Sequence, residues 1–212
     1  MTKAVVVANG QTAEADRRHL DGAAVIVAAD GGALTLARWG VLPHVLVGDL
    51  DSVDAGTVAR LAAAGVALER HPTAKDETDL EVALERALAG DPTEIVILGA
   101  FGGERLDLTI ANALLLADPR YRGRGLRAVL GATTARVVHG GERLALAGHP
   151  GQAVSLLPLG TVHGVTTEGL RFPLRDEVLP LGRARGVSNV VETAPAAVRC
   201  EQGVLLVIER SL

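Results

Sequence analysis

Two aspartates separated by one residue follow a short apolar run of the chain. Asp49 and Asp51 come after residues 45–47 and a glycine, and Ser52 is next. In an extended segment, residues i and i+2 point to the same side, so both carboxylates can reach one cation. Carboxylates held this close repel each other unless a metal or a basic group compensates. The pair predicts a divalent-metal site, and the alternative is an Asx turn in which Ser52 caps the next helix.

A second charged group precedes the most regular helical pattern, which covers residues 79–89. Thr78 and Glu81 form a capping box at its start. The backbone N–H groups of a helix N-terminus favour a phosphate, and Lys75 would add an ammonium there. Asp79 would supply a further carboxylate for a metal. The alternative is that Asp79 only interacts favourably with the helix dipole.

Glycine pairs mark two further turns after apolar runs. Asp30 and Gly31 follow residues 25–29, where a glycine lets the backbone approach a ligand closely. Arg105 and Asp107 stand just after another glycine pair. An arginine can bind phosphate oxygens through two parallel hydrogen bonds, and Asp107 would add negative charge for a metal. The alternatives are a plain turn at Asp30 and a surface ion pair between Arg105 and Asp107.

Buried parallel strands are the elements that must position these groups. Apolar runs at residues 4–8, 25–29, 45–47 and 95–98 alternate with stretches of helical spacing, which predicts a doubly wound, mostly parallel α/β domain of three layers over residues 1–122. Ligands bind such sheets at the carboxyl ends of the strands. Beyond residue 122, short runs separated by Gly and Pro predict a small all-β sandwich over residues 123–212.

Composition excludes several classes of function. The net charge of −4 provides no electrostatic footprint for a nucleic-acid partner. Cys200 is the single cysteine, so we expect neither an intramolecular disulfide nor a cysteine-based zinc site. There is no leader-like start and no apolar run of about 20 residues, which predicts a cytoplasmic protein without a membrane partner. The P-loop and nucleophile-elbow motifs are both missing from the sequence.

Taken in order, the charged segments resemble the thiamine pyrophosphokinase family, and the resemblance covers nearly the whole chain. It rests on Asp30-Gly31-Gly32-Ala33, Gly48-Asp49-Leu50-Asp51-Ser52, Lys75-Asp76-Glu77-Thr78-Asp79 and Gly102-Gly103-Glu104-Arg105-Leu106-Asp107. The resemblance implies a catalytic α/β domain that binds ATP, followed by a β-sandwich that helps to bind thiamine. It also implies a homodimer.

The activity that the resemblance implies is that of a thiamine diphosphokinase, which transfers a diphosphate from ATP to the hydroxyl of thiamine and releases AMP. The implied metal is Mg²⁺, held by Asp49, Asp51 and Asp79. These three residues, with Arg105 and Asp107, form the implied catalytic set. The residues implied to bind ATP are Asp30, Gly31, Ser52, Lys75 and Thr78. The thiamine contacts are assigned to Ser188 and Asn189 in Gly186-Val187-Ser188-Asn189.

The chain departs from the family pattern at two positions. Leu108 stands where many relatives have histidine, and Glu104 looks like an insertion before Arg105. Phe172 is the only aromatic residue beyond residue 122, and we expect it in the core rather than beneath a substrate ring. Other interpretations are a pterin diphosphokinase, a haloacid-dehalogenase phosphatase with Asp49 as the nucleophile, and a nucleotide- or thiamine-binding protein without catalysis.

Overall fold

Apolar runs in the first part of the chain form a parallel sheet. Its strands are β1 (Lys3–Val7), β2 (Val25–Ala29), β3 (Val45–Gly48), β4 (Ala67–Arg70), β5 (Glu94–Leu98) and β6 (Arg127–Leu130). Their order across the sheet is β6-β5-β1-β2-β3-β4, and each neighbouring pair is parallel. The chain runs outward from β1 to β4 and then resumes on the other side of β1. The topological switch point, where open sheets of this kind bind ligands, therefore lies between β1 and β5.

Helices cover both faces of this sheet. They are α1 (Gly32–Arg38), α2 (Ala55–Ala63), α3 (Asp79–Leu88) and α4 (Leu106–Leu115), together with a 3₁₀ helix at Glu14–Leu20. Leu36 of α1 and Leu61 of α2 share one core cluster with Val5 of β1. The buried residues of α3 lie outside that cluster, although α3 contacts β1, β2 and β3. This arrangement confirms the predicted doubly wound, three-layer α/β fold.

The later strands are antiparallel. They are β7 (Thr133–His139), β8 (Arg143–Leu146), β9 (Ala153–Pro158), β10 (Val162–Glu168), β11 (Glu177–Leu179), β12 (Asn189–Val190), β13 (Ala196–Arg199) and β14 (Val204–Arg210). Strand order is β12-β9-β14-β7 in one layer and β11-β10-β13-β8 in the other. Leu156 and Leu205 of the first layer share a core cluster with Val165 and Val198 of the second. The predicted small all-β sandwich is confirmed.

The computed structural model describes residues 2–211. The chain divides into two compact units, one made of Met1–Leu115 with Gly123–Gly131 and the other of Leu116–Arg122 with Ala132–Leu212. The domain ranges 1–122 and 123–212 stay a prediction; the units differ from them in residues 116–131, where β6 pairs with β5. Among the helices of residues 2–211, none is both long and apolar enough to cross a membrane.

Candidate active site

A cleft of about 550 Å³ opens in the first unit, at the carboxyl ends of β1, β2, β3 and β5. Its walls are the residues that follow these strands and the starts of α3 and α4. The volume falls in the range of sites for small molecules, about 300–1,000 Å³. In the sequence, the charged segments follow the predicted strands, and the structure brings most of these segments to this one cleft.

Three carboxylates meet in the cleft. Oxygen atoms of Asp30, Asp49 and Asp79 all lie within 4.8 Å of one another. The Oδ1 atoms of Asp30 and Asp79 are buried, and neither accepts a hydrogen bond from any residue in 2–211. Buried acceptors without donors are costly, and a hard cation such as Mg²⁺ prefers carboxylate oxygens. The donor set therefore fits a divalent cation.

Backbone geometry explains how these carboxylates come so close. Gly48, at the end of β3, lies between Asp30 and Asp79. A Cβ atom on it would stand 3.1 Å from the Asp30 Cβ and 3.2 Å from the Asp79 Oδ1. Asp30 itself has a φ of 43° and Leu50 a φ of 64°, both in the left-handed region that residues other than glycine rarely adopt. Such backbone strain concentrates at functional sites.

Asp51 lies in the cleft wall but outside this close cluster. The expectation that residues 49–51 are extended is wrong, because the left-handed Leu50 turns the chain between the two aspartates. Asp51 is exposed, and its Oδ1 accepts a hydrogen bond of 3.2 Å from the Ser52 hydroxyl. The structure thus places Asp30 next to Asp49 and Asp79, where the sequence argument had placed Asp51.

The environments of the carboxylates shift their pKa values in opposite directions. Burial raises the pKa of Asp30; hydrogen bonds from Ser52 and the Gly31 N–H oppose the rise, and the charges of Asp79 and Asp51 add to it. Desolvation also opposes ionisation of Asp49. There, hydrogen bonds from the Asp51 backbone and from Thr73, together with the Lys75 ammonium, hold the pKa below its ordinary value.

Lys75 supplies positive charge to the cleft at the start of α3. Its side chain is only 12% exposed, and its Nζ lies 2.9 Å from Asp79 Oδ1 in an ion pair that lacks the angles of a hydrogen bond. Thr78 caps the helix as predicted, with its hydroxyl oxygen accepting from the Glu81 N–H at 3.2 Å. An ammonium and a helix N-terminus therefore face the same cleft.

Arg105 and Asp107 pair with each other at the start of α4. The guanidinium donates two hydrogen bonds to the carboxylate, Nε to Oδ1 at 2.9 Å and Nη2 to Oδ2 at 2.6 Å. This hydrogen bonding lowers the pKa of Asp107 to about 2. Arg105 lines the cleft and its side chain is 67% exposed, whereas Asp107 is not among the described residues of the cleft wall.

Sequence reasoning missed two amides in the cleft wall. Asn9 follows β1 in the way that Asp30 follows β2, and its side chain packs against Gly31. Asn112 is 9% exposed, and its Nδ2 donates to the Ala100 carbonyl at 2.7 Å. An asparagine in the middle of the apolar segment that forms α4 was the signal for the second of these residues.

The predicted thiamine contacts lie in the second unit. The Asn189 side chain is buried: its Oδ1 accepts from the Phe172 N–H at 3.0 Å, and its Nδ2 donates to the Phe172 carbonyl at 2.7 Å. Ser188 is exposed, with a φ of 59°. The expectation that Phe172 belongs to the core is wrong, because 54% of the residue is exposed. The Asn189 amide holds the backbone of Phe172, and the aromatic side chain remains at the surface.

Comparison with protein families matches both parts of the chain. The model of the thiamin pyrophosphokinase catalytic domain matches residues 17–130. The chain belongs to the thiamine pyrophosphokinase family. The model of the thiamin pyrophosphokinase vitamin B1 binding domain matches residues 143–205. The order of the two matches along the chain is that of the α/β unit and the sandwich.

Individual thiamine pyrophosphokinases are similar over most of their length. The chain is 28% identical to the Bacillus subtilis thiamine pyrophosphokinase over 183 residues, which cover 86% of this chain and 85% of that protein. A crystal structure of the thiamine pyrophosphokinase from Bacillus subtilis matches with a TM-score of 0.87 and 25% identity over the whole of both chains. The thiamin pyrophosphokinase of Geobacillus thermodenitrificans matches with a TM-score of 0.81 and 27% identity, covering 100% of this chain and 98% of that one. These comparisons confirm the predicted diphosphokinase family, and none of them supports a pterin diphosphokinase.

Proposed function

We propose that this member of the family binds ATP in the cleft of the first unit and transfers its terminal diphosphate to the hydroxyl of thiamine, releasing AMP. The observation that carries the proposal is the meeting of Asp30, Asp49 and Asp79, in which the buried Oδ1 of Asp30 has no donor within residues 2–211 and the buried Oδ1 of Asp79 has only the ion pair with Lys75. A nucleotide with its divalent cation would satisfy them. Buried acceptors without donors cost folding free energy, so the fold itself does not require such a cluster.

Asp30, Asp49 and Asp79 are the residues that would hold Mg²⁺, and the predicted ligand Asp51 stands beside them in the cleft wall. The bound metal would neutralise phosphate charge and fix the orientation of the triphosphate. The pKa of Asp49 is held below its ordinary value, which favours the ionised form that binds a cation. The proposal therefore includes Mg²⁺ as a cofactor.

Phosphate binding falls to Lys75, Thr78 and Arg105. Lys75 and the start of α3 offer an ammonium and backbone N–H groups to the phosphate oxygens. Arg105 can exchange its exposed ion pair with Asp107 for a bidentate contact to phosphate. Gly31 and Ser52 complete the ATP-binding set as residues next to Asp30 and Asp51.

In the reaction, the hydroxyl oxygen of thiamine attacks the β-phosphorus of ATP in line. The bond from this phosphorus to the oxygen of the α-phosphate breaks, and AMP leaves with that oxygen. We assign the hydroxyl proton to the Asp51 carboxylate, because Asp51 lines the cleft outside the three-carboxylate cluster. Leu108 also lines the cleft, but its aliphatic side chain cannot accept the proton as a histidine at this position could.

Thiamine contacts in the second unit are assigned to Ser188 and to Phe172. The Phe172 ring offers a flat apolar surface for an aromatic ring, and Asn189 positions it by binding its backbone. Phe172→Ala should raise KM for thiamine about tenfold while KM for ATP changes little. Steady-state kinetics with each substrate varied in turn will measure both constants. An unchanged KM for thiamine would remove Phe172 from the proposal.

A homodimer and a cytoplasmic location, both predicted from the sequence, belong to the same proposal. The outer face of α4 supports self-association, because Leu106, Ile110 and Leu114 are 68%, 53% and 53% exposed. Apolar side chains aligned along one face of a helix usually pack against another surface. Sedimentation of the purified chain will show whether it is a dimer, and fractionation of cells will show whether the protein is cytoplasmic.

One assay tests the central activity. The purified chain is incubated with Mg²⁺, ATP and thiamine, and the products are separated by chromatography. Thiamine diphosphate and AMP in equal amounts are expected, and no product should form with hydroxymethylpterin in place of thiamine. Tight binding of ATP and thiamine without any release of AMP would instead identify a binding protein, and a phosphorylated Asp49 would identify a phosphatase mechanism.

A further inference from the structure

The two sides of the cleft differ in charge. The carboxylates Asp30 and Asp49 follow β2 and β3, whereas the residues directly after β1 and β5, on either side of the topological switch point, are uncharged; Glu104 and Arg105 line the cleft farther along the loop after β5. We call this second region the neutral side. It consists of Asn9, Gly10, Gly99, Ala100, Leu108 and Asn112.

The neutral side has a smooth wall made of backbone. The loops after β1 and β5 bind each other directly, since the Gly10 N–H donates to the Gly99 carbonyl at 2.8 Å and the Gln11 N–H donates to the Phe101 carbonyl at 2.7 Å. A Cβ atom on Gly10 would lie only 2.6 Å from the Phe101 oxygen. No side chain fits at this position, so glycine lets the two loops pack closely and form this wall from backbone.

The side-chain amide of Asn112 offers one hydrogen-bond acceptor on the neutral side. Only its nitrogen can donate to the Ala100 carbonyl, so that 2.7 Å bond fixes the orientation of the amide. The other amide atom, Oδ1, accepts no hydrogen bond from the part of the chain that the structure describes. Because Asn112 lines the cleft, a hydrogen-bond acceptor is available there. Leu108 stands beside it as an apolar surface, 37% exposed.

We infer that the neutral side binds the base of the nucleotide, with Asn112 Oδ1 accepting from an exocyclic amino group and Leu108 packing on the ring. This inference rests on the proposed function, which places the phosphates by the carboxylates. Adenine carries an amino donor at its 6-position, whereas guanine carries a carbonyl acceptor there. An acceptor facing an acceptor is repulsive, so the site selects adenine nucleotides over guanine nucleotides.

The experiment removes the hydrogen bond from each partner in turn. Wild type and Asn112→Ala are assayed with ATP and with purine riboside triphosphate, which lacks the 6-amino group. In wild type, kcat/KM should fall about tenfold or more with the analogue, and at least as far with GTP. Asn112→Ala should use ATP and the analogue equally well. Leu108→Ala is the matched control: it should weaken both nucleotides by the same factor and leave their ratio as in wild type.

Three results would overturn the inference: equal use of ATP and the analogue by wild type, an unchanged ATP preference in folded Asn112→Ala, or a rise in KM for thiamine alone. The last would mean that the amino group of the thiamine pyrimidine binds Oδ1, and it would leave the proposed function standing. If Asn112→Ala does not fold, the comparison within wild type decides. If wild type makes no thiamine diphosphate, the proposed function fails. Calorimetric titration with ATP and with the analogue then still measures the difference in affinity that the 6-amino group makes.

Discussion

Asp16 and Asp30 are both buried aspartates of the first unit, but their carboxylates are satisfied in different ways. Asp16 is 0% exposed, and each of its oxygens accepts a backbone hydrogen bond, Oδ2 from Ala13 at 2.8 Å and Oδ1 from Gly131 at 2.9 Å. Asp30 is 6% exposed, and its Oδ1 has no donor within residues 2–211.

This difference separates a structural carboxylate from one that is prepared for a ligand. The hydrogen bonds of Asp16 fix the loop before the 3₁₀ helix to the end of β6. Asp30 lies beside two other carboxylates, an arrangement that costs stability unless a cation joins them. The same contrast holds for asparagine: both amide atoms of Asn189 bind backbone, whereas Asn112 uses only its nitrogen.

The strongest test of this contrast is the activity of cleft variants. Asp49→Asn and Asp79→Asn keep the size of the side chain and remove a charge that would hold the metal. We expect kcat/KM to fall by about 10²–10³-fold or more, with little change in melting temperature. Asp54→Asn is the control, because Asp54 caps α2 and asparagine caps equally well. Near-normal turnover in both cleft variants would break the contrast.

The opposite result is expected for Asp16→Ala. Two buried N–H groups, those of Ala13 and Gly131, would lose their acceptor. The free energy of unfolding should fall by about 2–4 kcal/mol, while kcat/KM of the folded fraction stays near that of wild type. Asp21→Ala, at an exposed carboxylate just after the same 3₁₀ helix, should change the stability by less than about 0.5 kcal/mol. Denaturant unfolding measures both variants, and equal stabilities would contradict the structural role of Asp16.

Lys75→Met sharpens the account of the cleft itself. Methionine keeps the stem of the side chain and removes the ammonium that pairs with Asp79 and, in the proposed function, binds the phosphates. KM for ATP should rise about tenfold to a hundredfold, because a charge-assisted contact is lost, while KM for thiamine stays the same. Lys75→Arg should recover part of the loss. An effect confined to thiamine would move Lys75 out of the nucleotide site.

The smallest expected effect is a gain of stability in Asp30→Asn. Because folding raises the pKa of Asp30 above its ordinary 3.8, the native state favours the protonated acid, and stability is lost as pH rises through the folded pKa. Asparagine removes this loss and tolerates the left-handed backbone. The variant should therefore unfold at a higher temperature than wild type at pH 7, and the gain should vanish below about pH 3.8. A lower melting temperature at pH 7 would show that Asp30 is structural in the manner of Asp16.

Much of this site follows from the sequence, because apolar strands and their charged ends are visible in it. The α/β rhythm, the capping of α3 by Thr78, and the cleft positions of Asp49, Lys75 and Arg105 needed only the pattern of residues. The pairing of Asp30 with Asp49 depended on left-handed backbone at Asp30 and Leu50, which residue type does not disclose.

Contacts and exposure in the folded chain explain the remaining differences between the sequence-based predictions and the structure. Strand β4 was not predicted, because its only apolar side chains are Ala67 and Leu68 and the strand is partly exposed. Phe172 is exposed while Asn189 binds its backbone, a contact across 17 residues of chain that residue type does not disclose. Helix α4 begins at Leu106, whose exposed side chain does not mark the start of a buried face.

The most direct test of the central claim is calorimetric titration with α,β-methylene ATP, whose bridge between the α- and β-phosphates cannot be cleaved. Wild type should bind this nucleotide with an affinity that depends on Mg²⁺, and Asp79→Asn should lose that dependence. If wild type binds it equally well in Mg²⁺ and in excess chelator, the carboxylates do not hold a metal-bound triphosphate, and the account is contradicted.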